Sequence, residues 1–256
     1  MLTKNSIFKP EKQFQFHPDF INWDGVTYTE ETIDGKRHYT IDGVNYPSIT
    51  TVLSYDPLKI QILKKWEKRV GTEAAKEIRR TTSIRGKSLH KICENFIGKN
   101  EVSISTYEEK ENFFKVKGVI ERNIGKIYCI ENALYSYRLG VAGRVDLIAE
   151  WWNSDSKQYE PAVIDFKTST KTKYRQNIYN YFIQGTAYAE MFRDMTGISI
   201  PKVIVVMATE ELNDAQVFEE KTENWIDPLG KAIITYKENV NVQKNILNPS
   251  TNDASI

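Results

Sequence analysis

Two runs, Gly143-Arg144-Val145-Asp146-Leu147-Ile148-Ala149-Glu150 and Val163-Ile164-Asp165-Phe166-Lys167-Thr168-Ser169, decide how this chain folds and where its chemistry lies. Both are β-prone, and Asn153-Ser154-Asp155-Ser156 between them reads as a turn. They are predicted to pair as a hairpin, with strands over Gly143 to Trp152 and Ala162 to Phe166. Asp146 then begins one strand and Asp165-x-Lys167 ends the next, so pairing brings together two carboxylates 19 positions apart. Alternation puts Asp165 and Lys167 on one face and Phe166 on the other, and turns Arg144 away from Val145 and Leu147. Two acids and an amine at one point make a poor core and a good site for a hard divalent cation. Mg²⁺ or Mn²⁺ takes oxygen ligands, keeps several waters and binds phosphate. Lys167 would orient or deprotonate a water, or offset charge building in a transition state. Alone, Asp-x-Lys is a common tripeptide that reads as a surface ion pair. Here it closes an apolar strand, follows a Gly-Arg-Val-Asp strand and precedes the polar loop Thr168-Ser169-Thr170-Lys171-Thr172-Lys173.

Outward from the hairpin the pattern is that of a mixed α/β core. Ile127 to Arg138 alternates as a preceding strand, and about Gln176 to Met195 has helical spacing. Val203 to Met207 is a short apolar strand, and a closing helix is predicted near Ile226 to Leu247. Upstream, helices are predicted from about Lys59 to Arg80, after a break from about Arg85 to Ile97, and over 107 to 124. Asp34-Gly35 and Asp42-Gly43 bracket Arg37-His38-Tyr39-Thr40-Ile41 and predict a β-meander over roughly residues 26 to 46. The first 25 residues read as an arm or loop and the last eight as a frayed tail. The 256 residues are expected to form one domain: arm and meander (1–58), helical wall (59–125), core (126–210), C-terminal helix and tail (211–256).

Apolar residues make up 40% and aromatics 12%, which excludes a disordered chain. No run approaches the roughly 18 apolar residues of a membrane span, and Met1-Leu2-Thr3-Lys4-Asn5 leads into no signal-peptide core. The expectation is a cytoplasmic protein without a membrane partner, or one made by a phage in its host's cytoplasm. Two cysteines, Cys93 and Cys129, are too few for a disulfide framework, a four-Cys zinc site or an iron-sulfur cluster. Carboxylates, histidine, lysine or a bound ion must then carry any catalysis. The chain has no Gly-x-x-x-x-Gly-Lys-(Ser/Thr) segment, so no nucleotide cofactor is expected and any helicase or other motor partner is a separate polypeptide.

The 35 Lys and Arg against 34 Asp and Glu total +1, but the charges are segregated. Residues 59–99 hold twelve cations against four Glu, a net of +8, and Lys167, Lys171, Lys173 and Arg175 add more. Residues 209–256 carry nine acids against four Lys, a net of −5. A basic run by itself is commonly a solvated helix face. Trp66, Tyr174, Tyr179 and Tyr181 lie among or beside the cations, and rings next to cations are what a single-strand groove uses.

Taken with the segments around it, the Asp146 and Asp165-x-Lys167 pattern resembles the PD-(D/E)xK nuclease superfamily in its RecB-type branch. It is most similar to the mitochondrial genome maintenance exonucleases and their phage relatives. Tyr46-Pro47-Ser48-Ile49-Thr50-Thr51-Val52-Leu53 resembles that family's Pro-Ser-(Val/Ile)-Thr segment. Trp66 with Arg69-Val70-Gly71 and Ala74-Ala75 is similar to its first helix, and Arg85-Gly86-Lys87-Ser88-Leu89-His90 resembles its Arg-Gly-x-x-x-His. Gln184-Gly185-Thr186-Ala187-Tyr188 matches the branch's Gln-xxx-Tyr, and the resemblance covers about residues 40 to 208.

The resemblance implies a mixed-sheet nuclease core flanked by helices, with an N-terminal β-hairpin and a helical wall. It implies metal ligation by His90, Asp146, Asp165 and the Phe166 carbonyl, with Lys167 as the catalytic lysine and Mg²⁺ or Mn²⁺ as the ion. Glu94, one turn after His90, would orient the imidazole, reach a second ion, or be a plain surface glutamate. Glu131 resembles a glutamate that often precedes this hairpin and is a second-ion or outer candidate. Arg85, Lys87, Lys171, Lys173, Gln184 and Tyr188 are expected to hold a DNA strand. Arg144 is either a phosphate contact or a structural ion pair. His17 and His38 match nothing and are left structural. The implied activity is a deoxyribonuclease, an exonuclease on single-stranded or flap ends in replication, recombination or repair. The rivals are a structure-selective endonuclease on the same core and a catalytically silent DNA-binding module.

Overall fold

Strand β1 (Ser6–Phe8) begins the part of the chain that the computed structural model describes, residues 6–18 and 28–247. Asp34-Gly35 and Asp42-Gly43, all four at positive φ, then turn the chain twice. The result is an antiparallel meander of β2 (Tyr28–Ile33), β3 (Lys36–Ile41) and β4 (Val44–Pro47). Residues 26 and 27 of the expected meander, and the expected C-terminal tail, lie outside the described residues.

Ser48 caps helix α1 (Ile49–Leu53), accepting the Thr51 N–H at 3.0 Å. Asp56 caps α2 (Pro57–Val70), with Pro57 at the first position, where its missing N–H is not needed. Gly71 (φ 88°, ψ 150°) turns the chain into α3 (Thr72–Gly98). The break expected between Arg80 and Arg85 is therefore misplaced. Helix α3 runs through Thr81-Thr82-Ser83, with the Thr81 hydroxyl donating to the Glu77 carbonyl at 3.0 Å. The break falls instead at a glycine, which tolerates that backbone.

Strand β5 (Val102–Ile104) pairs with β1, so residues 6–8 of the expected arm or loop form a strand, while its residues 1–5 and 19–25 lie outside the described residues. Phe14 is buried, and Phe16 forms a β-bridge with Ile127. Helix α4 (Tyr107–Asn123) starts at a capping box of Thr106 and Glu109. There follow β6 (Ile124–Ser136), β7 (Val141–Asn153), β8 (Gln158–Ser169), α5 (Tyr179–Thr196), β9 (Lys202–Thr209), β10 (Gln216–Lys221) and α6 (Ile226–Leu247).

A mixed sheet runs β10-β9-β8-β7-β6, antiparallel except for β8 beside β9, the pair that α5 crosses over. Strand β10 extends the sheet into the region expected to hold only the closing helix and tail. The hairpin strands are longer than expected. Strand β7 begins at Val141, which puts Asp146 inside it, and β8 continues past Lys167 because its parallel pairing with β9 runs on to Ser169.

Helices α3 and α4 cover one face, where Leu89, Phe96, Phe113 and Ile120 pack with Leu147, Trp151 and Ile164. Helices α1, α5 and α6 cover the other, where Ile49, Phe192 and Leu229 pack with Val145, Ile148 and Val163. The fold is thus mixed α/β in three layers. No helix among the described residues is long and apolar enough to cross a membrane.

Gly185 marks a close approach of α5 to the sheet, since a Cβ there would fall 2.3 Å from Cγ1 of Val203. Gly185→Ala is expected to cost roughly 1–3 kcal/mol by overpacking. In α6, a Cβ on Gly230 would meet nothing within 4 Å, and Gly230→Ala should leave stability unchanged or raise it by up to about 1 kcal/mol. Urea denaturation of the two variants checks the contrast.

Candidate metal centre

The site is built where two antiparallel ladders fail at the same level. Strand β6 pairs Asn132 with Val145 and Ile130 with Leu147, so Glu131 lies level with Asp146, yet that pair is missing from the ladder. Glu131 has φ 49°, a left-handed kink that a glutamate adopts only when its surroundings hold it there. On the other side, β7 and β8 pair as far as Leu147 with Ile164. The next residues in register are Asp146 and Asp165. Here the Asp146 carboxylate replaces a ladder carbonyl, its Oδ2 accepting the Phe166 N–H at 3.0 Å. Alternation slips at this point. Val145 enters the core under α5 and Leu147 the core under α3 and α4, whereas period-two reasoning placed both on one face. Glu131, Asp146 and Asp165 therefore stand in a row across three adjacent strands.

Helix α3 brings His90 to the row, with Nδ1 3.1 Å from Oδ1 of Asp146. Ligand atoms of His90, Glu131 and Asp146 all lie within 4.8 Å of one another. Asp165 stands outside this trio, with Oδ1 2.5 Å from the Lys167 ammonium. Its other oxygen, Oδ2, is buried and has no partner. Arg144 holds Glu131 twice, by the carboxylate at 2.8 Å and the carbonyl at 3.0 Å. Of the two roles left open for Arg144, the structure shows the ion pair. Glu94 pairs with Lys91 at 2.7 Å rather than with the imidazole.

The protonation states follow from this crowding. Burial and the neighbouring Asp146 push the Glu131 carboxyl up to about 7, against the pull of Arg144. Burial also raises Asp165, which Lys167 opposes and Asp146 reinforces. Asp146 goes the other way, because His90, Lys167 and the Phe166 N–H outweigh its burial. Burial would lower His90 and Lys167, but Asp146 keeps the imidazole raised and Asp165 with Asp146 keeps the ammonium raised. One imidazole and three carboxylates, one of which has a buried oxygen without a partner, make a donor set that suits a hard divalent cation.

Glu131 and Asp146 open into a cleft of about 520 Å³ whose lining includes Lys87, Lys91, Arg144, Lys167, Gln184 and Tyr188, whereas Asp165 is buried and not part of that lining. Gln184 donates to the Tyr188 hydroxyl at 3.2 Å. Gly143 leaves room for that ring, since a Cβ there would fall 2.8 Å from it. Three of the residues expected to hold a strand are not among the cleft's lining. Arg85 is largely covered and pairs with Glu210. Lys171 is exposed in the loop after β8, and Lys173 is held through its backbone by Gln216. Of the aromatics, Tyr181 lies 5.1 Å from the Lys167 ammonium, Trp66 sits by Arg79, and Tyr179 donates to Asp56. Sequence reasoning missed Arg37, Glu30 and Thr50, which also line the cleft. A signal was present in Ser48 and Thr51, which bind the Arg37 carbonyl at 2.9 Å each and so lock β3 to α1. His17 stacks on Tyr128 and His38 bonds the Lys36 carbonyl, both away from the cleft's lining. Cys93 and Cys129 are buried and free.

No family model matches the chain, and neither does any curated protein. Among solved structures the chain is similar to the crystal structure of SSO0001, with 17% identity, covering 67% of this chain and 69% of that one at a TM-score of 0.32. So loose a superposition bears on neither the fold family nor the chemistry.

Millimolar Mn²⁺ or Mg²⁺ is expected to raise the melting temperature. An ion bound only by the folded chain, at a hundred times its dissociation constant, adds about 2.7 kcal/mol. Asp146→Asn should remove most of the rise. A wild-type melt indifferent to both ions would argue against a metal centre here.

Proposed function

We propose that the chain is a metal-dependent deoxyribonuclease of the RecB-type PD-(D/E)xK class, an exonuclease acting on single-stranded or flap ends. The observation that carries this reading is the row of Glu131, Asp146 and the buried Asp165 beside His90 and Lys167, of which Glu131, Asp146, His90 and Lys167 line a cleft edged by cations. Carboxylates crowded beside a lysine serve no packing purpose. Helix α3, which shares the +8 stretch with α2, supplies Lys87 and Lys91 to the cleft rim, as a phosphate backbone requires.

His90, Asp146, Asp165 and the Phe166 carbonyl would hold Mg²⁺ or Mn²⁺, with Glu131 as a further ligand or the first of a second site. Such an ion supplies Lewis-acid charge at the scissile phosphate. In the hydrolysis a water oxygen forms a new bond to phosphorus, the opposite P–O ester bond breaks, and the water's proton ends on the leaving alkoxide. Inversion at phosphorus follows from in-line attack. Asp165 and Asp146 favour the ammonium form of Lys167, so that residue acts as a charge donor to the phosphate and a hydrogen-bond donor that orients the water. Gln184 and Tyr188 position the strand from α5. Arg144 acts through Glu131, fixing its kink and its carboxylate.

Lys167→Ala and Asp165→Ala are each expected to slow degradation of labelled single-stranded DNA by at least about 100-fold, with folding retained. Degradation at the wild-type rate by either variant would remove the catalytic assignment. A covalently closed single-stranded circle should survive while the linear strand is consumed. A cut circle would reassign the protein as an endonuclease, and metal and DNA binding without any cleavage would make it a silent binding module.

A further inference from the structure

Arg37, Lys87, Lys91, Arg144 and Lys167 are the cations that line the cleft. Three of them are closely engaged by acids: Lys91 by Glu94 at 2.7 Å, Arg144 by Glu131 at 2.8 Å and Lys167 by Asp165 at 2.5 Å. Of the other two, Lys87 is exposed at the rim. Arg37 is held loosely, its Nε standing 3.4 Å from Oε1 of Glu30, with 48% and 45% of the two side chains exposed. An ion pair of that length and exposure contributes little. Glu30 belongs to β2, every residue of which is exposed, and lines the same cleft.

The Arg37 backbone, in contrast, is fixed. Its carbonyl accepts from the Ser48 N–H and from the Thr51 hydroxyl, each at 2.9 Å. Ser48 in turn forms a β-bridge with Ala142 of β7, the strand that carries Asp146. Ile49, the next residue, meets the Tyr188 ring at Gly143, where a Cβ would fall 2.8 Å from the ring and 3.3 Å from Ile49. The root of Arg37 is thus registered to the metal row and to the α5 pair, and the end of its side chain is loose. Lys87 reaches the cleft from α3 on one face of the sheet, and Arg37 from β3, locked to α1 on the other.

We propose that Arg37 is a substrate-binding residue that grips a phosphate of a DNA single strand, and that Glu30 occupies its guanidinium until the strand displaces it. A guanidinium takes a carboxylate or a phosphate through the same fork of donors, so the exchange needs no rebuilding of the site. Arg37 and Lys87 then hold the strand from opposite sides of the row. This role rests on the cleft being a nucleic-acid cleft, but not on cleavage.

Fluorescence anisotropy of an end-labelled oligothymidylate, measured over a range of KCl in EDTA, reads binding without hydrolysis. Arg37→Met is expected to weaken binding about tenfold, the worth of a hydrogen bond to a charged group, and to flatten the salt dependence by about 0.7 in log–log slope. Arg37→Lys should keep the slope while losing part of the affinity. Glu30→Gln should tighten binding roughly two- to fivefold, the range of an exposed ion pair, and the gain should vanish in the Arg37→Met background. Urea midpoints of all variants are expected to stay near that of the wild type, because the Arg37 backbone makes the fixing bonds. Wild-type affinity and slope in Arg37→Met would overturn the phosphate contact. An equal gain from Glu30→Gln with or without Arg37 would overturn the displacement, leaving Glu30 as a general source of repulsion. A wild-type chain that binds no strand would overturn this role and the nuclease reading together, whereas binding with the predicted pattern but no cleavage in Mg²⁺ would overturn the nuclease reading alone.

Discussion

Three carboxylates held level on neighbouring strands repel one another, and much of the surrounding structure answers that repulsion. Each acid has its own counter-group from a separate place: Lys167 for Asp165, His90 and the Phe166 N–H for Asp146, Arg144 for Glu131. The compensation is incomplete. Glu131 and Asp165 are still pushed toward their protonated forms, and one Asp165 oxygen remains unsatisfied. A site in this state stores an affinity for positive charge that its own side chains do not discharge. The loss of alternation falls at the same level, since Val145 and Leu147, which flank Asp146, enter opposite cores.

Helix α3 links this centre to the basic flank. Its C-terminal half is anchored by Leu89, Ile92, Cys93, Phe96 and Ile97 in the core, and His90 sits at the edge of that anchor. Its N-terminal half and the whole of α2 stay largely exposed and carry most of the positive charge of residues 59–99. The net charge of +1 therefore says little about the local field. Cations line the rim of a cleft whose floor is acidic, while acidic side chains such as Glu210 and Glu220 neutralise Arg85 and Arg175 away from it.

The parts of the fold legible in the sequence were those whose signals are local. Asp34-Gly35 and Asp42-Gly43 turn where their φ preferences allow, and the apolar run of β9 and the long helices α5 and α6 emerge near their expected bounds. The meeting of His90, Asp146, Asp165 and Lys167 was legible because a hairpin and one helix suffice to make it. Long-range pairings were not. Strands β1 and β5 are three residues each and are defined only by each other. Strand β10 has the alternating half-exposed pattern of a polar edge. The pairing of Arg85 with Glu210 joins residues far apart along the chain, which no local pattern announces. Arg37 enters the cleft from the N-terminal meander, far from Asp146 along the chain. The slip at Asp146 escaped because period-two reasoning presumes a continuous ladder, and the kink at Glu131 comes from the opposing strand.

Digestion of end-labelled single-stranded DNA, blocked at one end or the other, tests the proposed centre most directly when run in Mg²⁺ and again in EDTA. The predicted result is a ladder that advances from an unblocked end in Mg²⁺ and is absent in EDTA. Full-length strands persisting in both Mg²⁺ and Mn²⁺ would contradict a nuclease centre at Asp146, Asp165 and Lys167.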